Sequence, residues 1–345
     1  MRHLPLPVII LALLAVACGL GQTAMPSSMP PTQAATPRPA MPEKRCGDGV
    51  CDGPETAASC PQDCAENATA APTGRGSSDE EGVYWVTNPT SGVRLYVRVI
   101  QPQGWDRGAL PTLVVIPGGT GDSSDFVGPP DRVQEIADEG FAVVVFDPDG
   151  RGRSEGEEDQ NGYTHQDGLA EIVRFVATLP EVDGTQIGMV SWSYGVTMAA
   201  GALARYPDLP VRFLIDWEGP ANRDDTGGCG DDAVGHLQGH PCDDEDFWRE
   251  REASIFALDL QVPYQRLQSE KDHAQPDNDH AVLMINNATA EAYGGHGRAP
   301  WTRLNDLEPN TVYTTGALPP MIPEGHDQTD VLVVRYAREL FAQLW

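Results

Sequence analysis

The stretch QIGMVSWSYGVTMAAGALA, residues 186–204, decides the fold. Its first half, Gln186 to Ser191, is a short apolar run of strand character. Its second half, Val196 to Ala204, is a helix of small residues. Between them lies Ser191-Trp192-Ser193-Tyr194-Gly195. A serine at the centre of such a pentapeptide stands on a sharp strand-to-helix turn that lifts its hydroxyl above a sheet. Small residues two positions to either side let strand and helix approach each other. Gly195 meets that need on one side, and Ser191 stands where glycine is usual on the other.

Working outward, period-2 alternation marks Val83–Thr87 and Val93–Ile100 as strands joined by a turn at Pro89–Gly92, an antiparallel start. Strands follow at Thr112–Ile116, Phe141–Phe146, Val211–Asp216 and Val262–Gln268. Helices are expected near Asp131–Glu139, His165–Leu179, Tyr194–Tyr206 and Val331–Leu344. Continuous Val/Ile runs that alternate with helices imply an α/β fold, a mostly parallel sheet with helices on both faces. Ligands of such sheets sit beyond the carboxyl ends of the strands, so the residues just after each run are the place to look for chemistry.

A serine hydroxyl is a weak nucleophile and needs a base, with a third group to orient that base. The histidines after Ser193 are His236, His240, His273, His280, His296 and His326. His236 and His240 fall in a Gly/Asp-rich stretch and read as exposed loop residues. His326, in a loop just before the last helix, is expected to be the base. Asp272, after the Val262–Gln268 strand, is expected to be the acid, with Asp277 and Asp279 as alternatives better suited to capping the next helix. An oxyanion would be met by the backbone N–H of Tyr194. A second donor is expected from Pro117-Gly118-Gly119-Thr120-Gly121, at Gly119 or Thr120. Trp192, Trp217 and Glu218, near strand ends, are candidates for lining a substrate pocket.

Serine, acid and histidine in this order, each after a strand, resemble the α/β-hydrolase family over about Val83–Trp345. Asp147-Pro148-Asp149-Gly150-Arg151-Gly152-Arg153-Ser154-Glu155-Gly156 is similar to the D-x-R-G-x-G-x-S-x-G segment of the cocaine-esterase and X-Pro dipeptidyl peptidase group, with Asp149 in the arginine's place. Ser193-Tyr194-Gly195 is similar to that group's S-Y-G. The resemblance implies acyl transfer to water. Specificity would then lie in a lid insertion, at about residues 220–261, which carries Cys229 and Cys242. A disulfide between them would contribute about 3 kcal/mol. The acids between Asp224 and Asp246 would attract a cationic substrate or simply form acidic surface. Glu218 would touch substrate or anchor the lid.

The 345 residues, 40% hydrophobic, suffice for a sizeable core, and a wholly disordered chain is excluded. With 51 Asp+Glu against 23 Lys+Arg the formal charge is −28, which repels a phosphate backbone, so nucleic acid is not an expected partner. Arg2 and His3 precede the apolar stretch Leu4–Ala17, which holds Pro5 and Pro7 and falls short of the roughly 20 residues that span a bilayer. This is export-signal anatomy. LLAVAC resembles a bacterial lipoprotein signal, which implies lipidation at Cys18 and a membrane contact made only through that anchor. Cleavage near Ala17 or Ala24 would instead secrete the chain.

Residues 19–45 read as a Pro/Thr/Ala-rich tether and 65–82 as a linker, leaving 83–345 as the globular domain. Between tether and linker, Cys46, Cys51, Cys60 and Cys64 form a mini-module, residues 46–64. An exported segment this small fits two disulfides better than zinc, and their pairing is open. Asp48, Asp52, Glu55 and Asp63 would hold a structural Ca²⁺ or remain solvated acids. No phosphate loop or dinucleotide fingerprint is present, and no cofactor is expected for catalysis.

Three functions compete. The first is an exported serine hydrolase of carboxylic esters. The second is a serine exo-peptidase using the same three groups, and the third is a non-catalytic surface binding protein.

Overall fold

The computed structural model describes residues 80–226, 229, 240–314, 316–323 and 329–343. All belong to Lys44–Trp345, the larger of two compact units of the chain. The expected signal with Cys18, the tether, the module of Cys46, Cys51, Cys60 and Cys64 with its acids, most of the linker, His236 and His326 lie outside the described residues. No helix among the described residues is long and apolar enough to cross a membrane.

Eight strands form one sheet: β1 (Val83–Thr87), β2 (Arg94–Ile100), β3 (Leu110–Ile116), β4 (Ala142–Phe146), β5 (Val182–Trp192), β6 (Val211–Trp217), β7 (Tyr264–Leu267) and β8 (Thr302–Leu304). Their spatial order is β1-β2-β4-β3-β5-β6-β7-β8. β1 and β2 pair antiparallel, as do β2 and β4, and the remaining neighbours are parallel.

The helices are α1 (Arg132–Asp138), α2 (Tyr163–Val176), α3 (Gly195–Arg205), α4 (Glu245–Arg249), α5 (Ala253–Ala257), α6 (Asp279–Ala288) and α7 (Thr329–Gln343). They cover both faces, because the central strands are apolar on both. Val114 and Ile116 of β3 pack with α2, α3, α5 and α6, whereas Leu113 and Val115 pack with α1 and α7. This is the architecture that the alternation of Val/Ile runs and helices predicts.

Within the expected insertion, Ala253, Phe256, Ala257 and Leu260 join the α2/α3 core. Cys229 and Cys242 are joined by a disulfide. Asp244 caps α4 and Glu245 pairs with Arg223, so part of the insertion's acidity is internally matched.

Candidate active site

Three residues that follow three neighbouring strands meet at the carboxyl edge of the sheet. Trp192 and Trp217 are register partners at the ends of β5 and β6, so the next residues, Ser193 and Glu218, stand side by side. Both depart from ordinary backbone, with φ of +50° at Ser193 and +48° at Glu218. A left-handed non-glycine residue costs on the order of 1–3 kcal/mol and persists where the surroundings impose it. Here Ser193 donates its N–H to Trp217 O (2.8 Å), and Glu218 donates to Leu267 O (3.0 Å).

Crowding explains the small residues of the elbow. A Cβ on Gly195 would lie 2.5 Å from Pro117 O, and one on Gly118 would lie 3.0 Å from the Ser193 Cβ. Ser191, in the usual glycine's position, is tolerated because its Oγ turns inward, 3.4 Å from Asp216 Oδ1.

The loop after β7 brings His273 over this edge. Its Nε2 lies 2.8 Å from Ser193 Oγ, and its Nδ1 lies 2.9 Å from Glu218 Oε2. A carboxylate only accepts, so Nδ1 carries the proton and Nε2 is left to accept from the serine hydroxyl. Glu218 also accepts the N–H of Ser269 (3.0 Å) and of His273 (3.1 Å). Its burial alone would raise its pKa. The hydrogen bonds from His273 and Ser269 outweigh that effect and hold the carboxyl below its ordinary range.

Among the described residues, the contacts around Ser193 differ from the expected ones. The imidazole on Ser193 is that of His273, and the carboxylate in hydrogen-bond contact with its Nδ1 is that of Glu218. Asp272 lies further from that nitrogen, at 3.4 Å. It instead accepts from Ala274 N (2.8 Å), Gln275 N (2.7 Å) and Gln268 Nε2 (2.8 Å), and His280 Nε2 stands 3.3 Å away. Burial pushes its pKa up, but the His280 contact and these donors prevail and keep it well below the usual carboxylate range. Asp272 therefore shapes the turn that carries His273. Asp277 accepts from Asp279 N (3.0 Å) just before α6, but the N-cap of that helix is Asn278, without a side-chain cap bond, and Asp279 is its first residue, so neither acid takes the capping position expected of it.

Two pocket candidates also change role. Glu218 is buried and engaged with His273, leaving it no face for substrate. Trp192 is buried among the α1/α7 core residues, its ring 5.1 Å from that of Phe126 and 5.5 Å from the Arg132 guanidinium. Trp217 stays at the site, stacked on the His273 imidazole with centroids 4.5 Å apart.

In the glycine loop, Gly119 takes φ +53° and Gly121 N–H closes a turn on Gly118 O (2.8 Å). Gly119 is half-buried and Thr120 exposed beside the elbow, and Tyr194 directly precedes α3. Among the described residues, the His, Cys, Asp and Glu side chains close enough together to hold a metal ion are Glu218, Asp272 and His273, the site just described.

The family model described as X-Pro dipeptidyl-peptidase (S15 family) matches residues 91–316. The chain belongs to this family. The match contains Ser193, Glu218 and His273 and ends before His326.

Solved structures with the same α/β-hydrolase fold include dipeptidyl peptidase 4 of Porphyromonas gingivalis, at 19% identity and TM-score 0.54. The alignment covers 75% of this S15 member and 35% of that chain. Acetyl xylan esterase 1 from Thermoanaerobacterium sp. JW/SL YS485 matches at 18% identity and TM-score 0.51, over 79% of this chain and 89% of that one. Est1E from Butyrivibrio proteoclasticus, with ferulic acid bound, matches at 17% and 0.50, over 75% and 98%. No curated protein matches the sequence. This S15 family member is thus an α/β-hydrolase-fold enzyme of the serine hydrolase superfamily, with esterases and peptidases both among its structural neighbours.

Proposed function

We propose that this S15 member is an exported serine hydrolase of carboxylic esters, with Ser193 as nucleophile, His273 as base and Glu218 as the acid that orients it. The observation that carries the reading is the hydrogen-bonded series from Ser193 Oγ to His273 Nε2 (2.8 Å) and from Nδ1 to Glu218 (2.9 Å). As Ser193 Oγ attacks the ester carbonyl carbon, His273 Nε2 takes the hydroxyl proton and becomes imidazolium, stabilised by ionised Glu218. The oxyanion lies toward Tyr194 N–H and the Gly119–Thr120 backbone. When the tetrahedral centre collapses, His273 returns the proton to the departing alkoxide and Ser193 is acylated. Water then enters by the same route in reverse and releases the acid.

Esters are preferred over peptides for a specific reason. Glu218, the acid best placed to hold a peptide α-amine, is committed to His273. The esterase neighbours are also spanned almost whole, whereas this chain spans about a third of the Porphyromonas peptidase. The family match itself favours the second reading, an exo-peptidase with the same three groups. Export, through a lipid on Cys18 or by secretion, rests on the N-terminal sequence alone.

The test is fluorophosphonate labelling of wild type beside Ser193→Ala, followed by assays on p-nitrophenyl acetate and X-Pro p-nitroanilides. Labelling lost in the variant and turnover of the acetate are expected. Anilide turnover without acetate turnover would move the assignment to the peptidase. Absence of labelling in folded wild type would make the scaffold a non-catalytic binding protein.

A further inference from the structure

Arg151 is a buried cation in the loop after β4, and its hydrogen bonds run to both sides of the elbow. One amino group donates to Gly121 O (3.3 Å), the residue whose N–H closes the glycine loop on Gly118 O. The other donates to Asn161 Oδ1 (2.9 Å), and Asn161 Nδ2 in turn donates to Tyr194 O (2.9 Å). Gly118 lies against Ser193, and Tyr194 is bonded to it. The contacts therefore close a ring: Ser193, Gly118, Gly121, Arg151, Asn161, Tyr194 and back to Ser193. Glu158 neutralises the guanidinium through Nε (2.7 Å) and an amino group (2.6 Å).

Asn161 reaches its place at a conformational cost. Gln160 and Asn161 are both left-handed, with φ of +49° and +64°. The turn is held from inside by His165, whose Nδ1 accepts Asn161 N–H (3.1 Å) while its Nε2 faces Asp149 O (3.0 Å). Acceptance at Nδ1 requires a neutral ring. Burial, reinforced by the Arg151 charge, lowers the His165 pKa to about 3 and secures that state. Two strained residues, a buried neutral histidine and a neutralised arginine thus converge on one amide that holds the residue after the nucleophile.

We propose that Arg151 is a positioning residue that fixes the two halves of the oxyanion pocket, the glycine loop and the Tyr194 peptide, relative to each other. This inference rests on the assignment of Ser193 as nucleophile. A pocket preorganised for negative charge acts on the transition state more than on the bound ester, so loosening it lowers kcat and leaves KM in place. The His273–Glu218 pair is not in the ring, so the pH dependence set by the imidazole is untouched.

The experiment compares wild type, Arg151→Met, Asn161→Ala and the double variant. It uses p-nitrophenyl acetate kinetics, the pH profile of kcat/KM, inhibition by an alkyl trifluoromethyl ketone, and the rate of fluorophosphonate labelling, which needs the same pocket whatever the natural substrate. Removal of a whole oxyanion donor costs about 10²–10³-fold, so a displaced donor should cost about 10- to 100-fold. Each single variant is expected to lose that factor in kcat, in labelling rate and in ketone affinity, with KM within about twofold and an unmoved pH midpoint. The double variant should be no worse than the worse single one, because both lie on one chain of contacts.

Asn161→Ala retains the Arg151–Glu158 pair and carries the test if Arg151→Met does not fold. Wild-type kcat and ketone affinity in Asn161→Ala would overturn the proposal. So would losses confined to KM, or a shifted pH midpoint. Labelling that persists in Ser193→Ala would instead overturn the nucleophile assignment on which the proposal stands.

Discussion

Exchanging Glu218 for glutamine removes a charge and leaves the shape. The amide cannot hold a proton on His273 Nδ1 as the carboxylate does, so the imidazole loses both its tautomer and the stabilisation of its charged form. Loss of the orienting acid costs about 10⁴-fold in kcat in a serine triad, and the same order is expected here. Turnover of p-nitrophenyl acetate by Glu218→Gln beside wild type, at equal protein folding by circular dichroism, checks this, and kcat within a few-fold of wild type would remove Glu218 from the proposed triad.

His273→Ala should lose more, about 10⁶-fold in kcat, as loss of the base does in a serine triad, with His326→Ala within a few-fold of wild type in ester hydrolysis. The reverse ranking would return the base to His326. Ser193 was legible because its flanking pattern is local. The partners were not, since histidines and acids follow several strands, and the left-handed turn at Glu218 leaves no trace in a residue type that rarely adopts it. In the proposed assignment the order nucleophile, acid, histidine is kept, with Glu218 and His273 in the second and third places.

Among the elements, β5 and α3 depend on how closely the elbow approaches β3. Adding a methyl group at Gly195 places it 2.5 Å from Pro117 O, and the opposing group is rigid backbone. Gly195→Ala should destabilise the protein by about 1–3 kcal/mol, as overpacking does, and reduce Ser193 labelling by displacing the glycine loop. Thermal denaturation beside labelling would test both effects, and an unchanged melting temperature would mean that the loop yields freely.

The sheet was legible for the same reason that it is stable. β3 and β4 are apolar on both faces, which a buried parallel strand requires and a half-exposed one does not. β8 was missed because Thr302–Leu304 is three residues long and holds its place through β7 rather than through its own pattern. Trp192 was misjudged because nothing in the sequence says toward which face a residue at the end of a strand turns.

For the whole molecule, the charge of −28 and the buried carboxylates set stability against pH in two opposed ways. Burial raises the pKa of Asp149, Asp159 and Glu250 above the ordinary range. Each is a carboxyl that the folded state prefers protonated, so its cost is present at neutral pH and is relieved as pH falls through its folded pKa. Partial neutralisation also weakens the self-repulsion of so acidic a chain. Glu218 and Asp272 act oppositely. Their folded pKa values lie below the unfolded ones, so they contribute stability above about pH 4, which is lost as pH falls further through their folded values.

The melting temperature should therefore rise from pH 7 to a maximum on the acid side of neutrality and fall below about pH 4. Added salt at pH 7 should raise it by screening the repulsion between exposed acids. Asp272→Asn isolates the second limb. It loses the part of the acid-side decline that belongs to Asp272 and keeps the rise between neutrality and the maximum, because Asp149, Asp159 and Glu250 are unchanged. Thermal scans of both proteins across this range provide the measurement. A melting temperature that falls steadily from pH 7 downward would show that the buried, raised carboxyls do not govern the neutral limb.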